Sequence, residues 1–210
     1  MATRALTVQA RVGAARREAT RERILDAARQ MLERGDSVSA LTVSKLAAEA
    51  EVSRATFYLH FPDKRELIDA LAAPSREEWE SIASDALSDP HVTRDEIRRV
   101  VREGLDNWSK HAAVLSGVVE LAEYDPEVRQ GWRASVAHSA ENNTRWIAAS
   151  RPDLPEETIR ALGELLAWAG ERSAHQMLGP HSQDPACIDA LTEAMTELWW
   201  RLTRPESDTS

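Results

Sequence analysis

Cysteine occurs once, at Cys187, which excludes an intrachain disulfide framework and any cysteine-based zinc cluster, and points to a reducing, cytoplasmic setting. Glycine is scarce, with eight residues, and alternating β-branched or aromatic runs of strand length are absent, which argues against a sheet. No apolar run approaches the roughly 18 residues of a membrane span, and the basic start has no apolar segment behind it, so neither a membrane partner nor a signal peptide is expected. Enzyme signatures are missing too: there is no phosphate loop ending Gly-Lys-Ser/Thr, no Gly-x-Ser-x-Gly and no His-Glu-x-x-His. His175, His181 and Cys187 match no standard zinc spacing, so no metal, no cofactor and no catalytic residue is expected.

What is present is helical spacing almost everywhere. Ile24, Leu25, Ala28, Met31 and Leu32 share one face of a helix over 20–34, closed by Gly35. A short helix follows Thr42, with Leu46 and Ala47 inward, and a third runs over 54–59 behind the N-cap Ser53. Asp63 caps a fourth helix, and Pro74 is expected to break it between 72 and 75, with Ser75 and Glu78 as a new capping box. Thr93 and Glu96 form another capping box, opening a helix to about residue 111. Further helices are expected over 112–124, 127–150, 155–178 and 185–203, their ends marked by Pro126, Pro152, Pro155, Pro180 and Pro185. The fold class is all-α with about nine helices: a flexible basic arm (1–19), a three-helix head with a helix-turn-helix (20–71), a helical body (72–205) and a disordered tail (206–210).

Charge is divided along the chain. The net charge is −9, but residues 1–71 carry +2 and residues 72–210 carry −11, while the first 25 residues alone carry +4. A basic end on an acidic body is a directional signal for a polyanionic partner. Residues 42–60 supply the reading element. A recognition helix must present N-terminal side chains to base edges in a groove about 12 Å wide. Arg54 suits a bidentate pair with guanine, Thr56, Tyr58, His60 and Lys64 suit phosphates, and Thr42 and Ser53 add hydroxyls at helix starts. Arg11, Arg16, Arg17 and Arg21 on the arm suit neighbouring phosphates or the minor groove.

The stretch from Leu41 to Leu71, LTVSKLAAEAEVSRATFYLHFPDKRELIDAL, together with Arg23–Arg29, RILDAAR, resembles the tetracycline-repressor (TetR) family. The resemblance covers about 50 residues at the N-terminus. It implies a homodimeric transcription regulator, usually a repressor of a palindromic double-stranded DNA operator, released by a small molecule. By motif, the DNA contacts fall on Thr42, Val43, Ser44, Arg54, Ala55, Thr56, Tyr58, His60 and Lys64. The chain departs from the family at Glu51, where glycine is usual, so a left-handed φ on a residue with a side chain is expected there. In the body, Asn142–Ile147, Gly170–Ser173 and Glu197–Leu202 resemble the subgroup of the mycobacterial ethionamide-activation repressor.

All seven tryptophans lie in the body. Trp108, Trp132, Trp146 and Trp168 sit on four different helices, where they either line one apolar cavity or pack an ordinary core. Of the acidic residues, Glu171 stands out in the middle of an apolar helix as a polar anchor for a small apolar or aromatic ligand. Gly163, Ala167, Gly170 and Ala174 make a small-residue stripe, and Leu191, Met195 and Leu198 belong to an apolar stripe on the last helix. By resemblance these two helices build the dimer interface, while intrachain packing on another face stays open.

Overall fold

The computed structural model describes residues 2–86, 93–179 and 184–204. Among them are nine α-helices, one short 3₁₀ turn and no strand. The chain divides into two units, 1–71 and 72–210, each described by itself. The expected tail at 206–210 and His181 lie outside the described residues.

In the first unit, α1 (Ala2–Glu33) turns at Gly35, which adopts φ 92°. The amide of Asp36 reaches back to the Met31 carbonyl at 3.0 Å, closing the C-terminus. The flexible arm expected over 1–19 is instead helix from Ala2. Ala2, Ala5, Ala10, Ala14, Ala15 and Ala19, with the arginines between them, favour helix, and adding turns to an existing helix costs far less than nucleating one. Helices α2 (Val43–Glu49) and α3 (Arg54–His60) pack through Leu46, Ala47 and Phe57, all buried.

Helix α4 (Lys64–Ala86) begins in the first unit and ends in the second, and it runs through Pro74 without interruption. The expected break and the Ser75–Glu78 capping box do not form. Proline leaves the carbonyl one turn earlier unbonded but need not end a helix whose flanks are packed. Leu71, Ala72 and Ser75 are all buried, and Glu78 pairs with Lys110 at 2.8 Å.

The second unit adds α5 (Arg94–Lys110), α6 (Ala112–Tyr124), α7 (Pro126–Ser150), α8 (Glu156–Met177) and α9 (Pro185–Leu202). The capping box at Thr93 and Glu96 forms as expected. Helix α8 packs chiefly on α7, and α5 on α9. The α5–α9 seam carries an antiparallel ion-pair ladder: Arg94–Glu197 at 3.3 Å, Arg98–Glu193 at 2.5 Å and Arg102–Asp189. Beneath it lies a core of Ile97, Val101, Leu105, Ile147, Leu166 and Leu191.

Candidate DNA-reading surface and effector cavity

The turn between α2 and α3 places a short exposed helix on a rigid base. Thr42 Oγ1 accepts the Lys45 amide at 3.3 Å, and Ser53 Oγ accepts the Thr56 amide at 3.0 Å. Both hydroxyls therefore cap their helices. Glu51 holds φ 53°, as its place in the turn requires. Below α3, Phe57 and Phe61 are fully buried with ring centroids 6.0 Å apart. Above it, Ser53, Arg54, Ala55 and Tyr58 are exposed, with Thr56 and His60 half-buried; Thr42 and Ser44 are exposed on the α2 side and Val43 is half-buried. Leu59, 72% exposed, extends this surface and was not expected from the sequence.

Three basic residues make contacts within the scaffold. Lys64 Nζ donates to the Val38 carbonyl at 3.1 Å, which holds the α1–α2 connection. Arg17 donates to the Leu59 carbonyl at 3.3 Å, bonding the C-terminal end of α3. Arg21 lies over the Phe61 ring at 5.2 Å. Burial, then Arg17 and Arg21, hold the His60 imidazole below its ordinary range. Arg11 and Arg16 remain exposed on α1.

The second unit holds a partly open cavity of about 160 Å³, lined by α4, α5, α6, α7, α8 and α9. Trp108 and Trp132 line it in an edge-to-face arrangement, centroids 6.0 Å apart. Trp79 and Trp199 line it as well. Trp79 Nε1 donates to Ser139 Oγ at 3.0 Å, and its ring fills the space that a Cβ on Gly104 would need. Trp146 and Trp168 do not reach the cavity. Trp146 is buried behind the wall against Trp199, 5.7 Å between centroids, and Trp168 turns outward. Helical spacing puts a tryptophan on a face, but which neighbour that face meets is a tertiary matter.

Glu171 lies on the cavity wall with its side chain 6% exposed. Neither carboxylate oxygen accepts a hydrogen bond among the described residues. The cation nearest to it is Arg172, whose Nε is 3.9 Å from Oε2 on an outward-facing side chain. Burial pushes the Glu171 carboxyl above the usual range, and Arg172 only partly opposes this. His175, edge-on to Trp108 at 6.2 Å, is held below its ordinary range by burial and by Arg172.

The small-residue stripe faces inward, a correction to its expected place at a subunit interface. A Cβ on Gly163 would lie 2.1 Å from Thr144 Oγ1 and 2.8 Å from the Ala140 carbonyl, so this is the closest approach of α8 to α7. Ala167 packs with Val136 and Ala140, Gly170 faces Met195, and Ala174 and Leu191 are core. Met195 is half-buried at the cavity. Of the seven, only Leu198 is exposed, at 42%. The outward large apolar side chains of α8 and α9 are Leu165, Trp168, Met177 and Leu198.

Residues 24–71 match the family of bacterial regulatory proteins, tetR family. Over these residues the chain is similar to the N-terminal domain of TetR-family regulators. Among solved structures, the fold of a TerR/AcrR-family transcriptional regulator from Aquifex aeolicus covers 87% of this chain and 99% of its own, with a TM-score of 0.67 at 15% identity. A TetR-like regulator from Rhodococcus sp. RHA1 gives 0.66 at 21% identity, covering 87% and 94%. Among curated relatives, the nucleoid occlusion factor SlmA of Serratia proteamaculans is 32% identical over 106 residues, half of this chain and 46% of that protein. The SlmA of Edwardsiella ictaluri is 37% identical over a stretch of the same length. The chain thus spans about half the length of the curated relatives it matches. No helix among the described residues is long and apolar enough to cross a membrane.

Proposed function

We propose that the chain is a sequence-specific DNA-binding transcriptional repressor, acting as a homodimer on a palindromic operator and released by a small apolar or aromatic effector. The observation that carries the reading is α3: Arg54, Ala55 and Tyr58 exposed on a helix anchored from below by Phe57 and Phe61. Such a helix enters the major groove with Arg54 on a base edge and Tyr58 on a phosphate. Exposed Arg11 and Arg16 add backbone contacts, and the acidic body is repelled by DNA. The dimer forms through the outward side chains Leu165, Trp168 and Leu198 of α8 and α9.

The effector occupies the walled cavity and acts through differential affinity: it must prefer the state that does not fit the operator, because equal affinity for both states shifts nothing. The test is a mobility-shift titration on the DNA upstream of the gene. Arg54→Ala and Tyr58→Ala should each weaken binding, Arg54 by about 1–3 kcal/mol per half-site, whereas Arg11→Ala should act uniformly across sequences and flatten the salt dependence. Unchanged affinity in both α3 variants refutes the reading surface.

A further inference from the structure

The nature of the effector can be narrowed from the cavity wall. Resting on the reading of that cavity as the effector site, we propose that the effector carries a protonated amine on a compact aromatic body, and that Glu171 is its counter-ion.

Glu171 sits on a mid-helix turn of α8 with its carboxylate enclosed and no hydrogen-bond donor on either oxygen among the described residues. Burying a carboxylate without a partner is costly, and a leucine or methionine would fill the same space at no such cost. Some of the other polar wall groups are committed elsewhere, whereas Asn107 Oδ1 and Trp108 Nε1 have no hydrogen-bond partner among the described residues. Asn143 Nδ2 donates to the Gly163 carbonyl at 3.3 Å, Asn107 Nδ2 donates to the Ser75 carbonyl at 3.0 Å, and Arg76 is engaged in contacts of its own. Arg172 stays 3.9 Å away, beyond hydrogen-bond length, on a side chain 59% exposed. Of these unpartnered wall groups only Glu171 can carry a charge, so a cation with donors on the inside suits it best.

The surroundings suit such a cation. Indole rings of Trp108 and Trp132 stand on the same wall, and an ammonium beside indole faces gains from their negative π clouds. An anionic effector would instead meet Glu171 as a like charge in an apolar enclosure. Size sets the body: a cavity of about 150 Å³ accepts a benzene-sized molecule, so 160 Å³ suits one aromatic ring with a short chain.

Three probes of one shape class separate the possibilities: 2-phenylethylamine, 2-phenylethanol and 3-phenylpropanoate, titrated calorimetrically at neutral pH into the full chain and into Glu171→Gln. The amine should bind about tenfold tighter than the alcohol, with the propanoate weakest. In Glu171→Gln the amine should lose about that factor while the alcohol is unchanged. Equal binding of amine and alcohol by the unsubstituted protein overturns the counter-ion role and leaves the cavity as an arene site. An amine preference that survives in Glu171→Gln overturns that role as well. Failure of all three probes to bind overturns the cavity reading and this inference with it. If the variant does not fold, the comparison of amine with alcohol on the unsubstituted protein decides.

Discussion

Replacing Gly163 by alanine tests the packing of the body at its tightest point. Alanine in a helix interior is favoured over glycine by about 1 kcal/mol, so backbone preference alone predicts a gain. The geometry predicts the reverse. The new methyl would lie 2.1 Å from Thr144 Oγ1, 2.8 Å from the Ala140 carbonyl and 3.0 Å from the Thr144 amide. Thr144 Oγ1 is itself held by its bond to the Ala140 carbonyl at 2.8 Å, and the other two atoms are backbone, which no rotamer change can move. Helices α7 and α8 must part by several tenths of an ångström, stretching the Asn143–Gly163 bond, already 3.3 Å long. Overpacking of this kind costs about 1–3 kcal/mol, and losing a hydrogen bond about 1 kcal/mol. Against the propensity gain, the net loss is about 2 kcal/mol, a fall in Tm of about 4–8 °C for a chain of this size. Gly131, on the same α7 with open space around it, is the control: Gly131→Ala should raise stability by about 0.5–1 kcal/mol. Thr144→Ala in the Gly163→Ala background should recover part of the loss by removing the nearest atom. The effect should be equal at low and high protein concentration, because the contact lies within one chain. A Gly163→Ala protein as stable as the original, by thermal and urea melts, refutes this packing of α8 on α7.

Three further outcomes follow from single residues. Glu51→Gly should stabilise the first unit by about 1 kcal/mol, by relieving the left-handed φ of 53°, and a lower urea midpoint would contradict the turn geometry. Glu171 has a native carboxyl raised by burial, so its contribution to stability is present below the unfolded carboxyl range and is lost as pH rises through the native value. Glu171→Gln should therefore match the original protein in acid and exceed it by about 1 kcal/mol at neutral pH; parallel pH–Tm curves would show that Glu171 is not desolvated. Trp168→Glu and Leu198→Glu, on outward faces 40% and 42% exposed, should leave the fold intact but yield monomers in sedimentation. A persistent dimer in both variants moves the interface elsewhere.

Much of this molecule is written in local signals. Caps and prolines give the ends of α5, α6, α7 and α9 to within a residue or so, since a cap acts on its own turn. The exposed face of α3 is equally local: alternation of Phe57 and Phe61 with Arg54 and Tyr58 is enough to orient it. What is not legible is partner choice. Arg94, Arg98 and Arg102 recur every four residues, as do Asp189, Glu193 and Glu197, yet nothing in either stripe says that they face each other. The stripe from Gly163 to Ala174 marks a close helix approach, correctly, but the approach is to α7 within the chain. That Lys64 also donates to the Val38 carbonyl at 3.1 Å is likewise a tertiary matter. Of the cavity tryptophans, Trp108 and Trp132 follow from their helices, whereas Trp79 needs the gap at Gly104 to reach the wall.

Pro74 bears on how an effector acts on DNA binding. Its missing amide makes the helix weakest around Ala70, at a cost of about 3 kcal/mol. Breaking α4 there would uncover Leu71, Ala72 and Ser75, all at most 4% exposed, and would strip the Ser75 carbonyl of its bond to Asn107. Burying one leucine is worth about 1.5–3 kcal/mol, so the flanking contacts are enough to offset the proline and keep the helix whole. Trp79 on the cavity wall lies on this same helix, one turn beyond Ser75. A hinge at Pro74 would forfeit more contact than it frees. The weak hydrogen-bonding there lowers the cost of bending but does not supply a joint. The effector's preference between the two states must then come from how Trp79, Trp108 and Glu171 fit it in each.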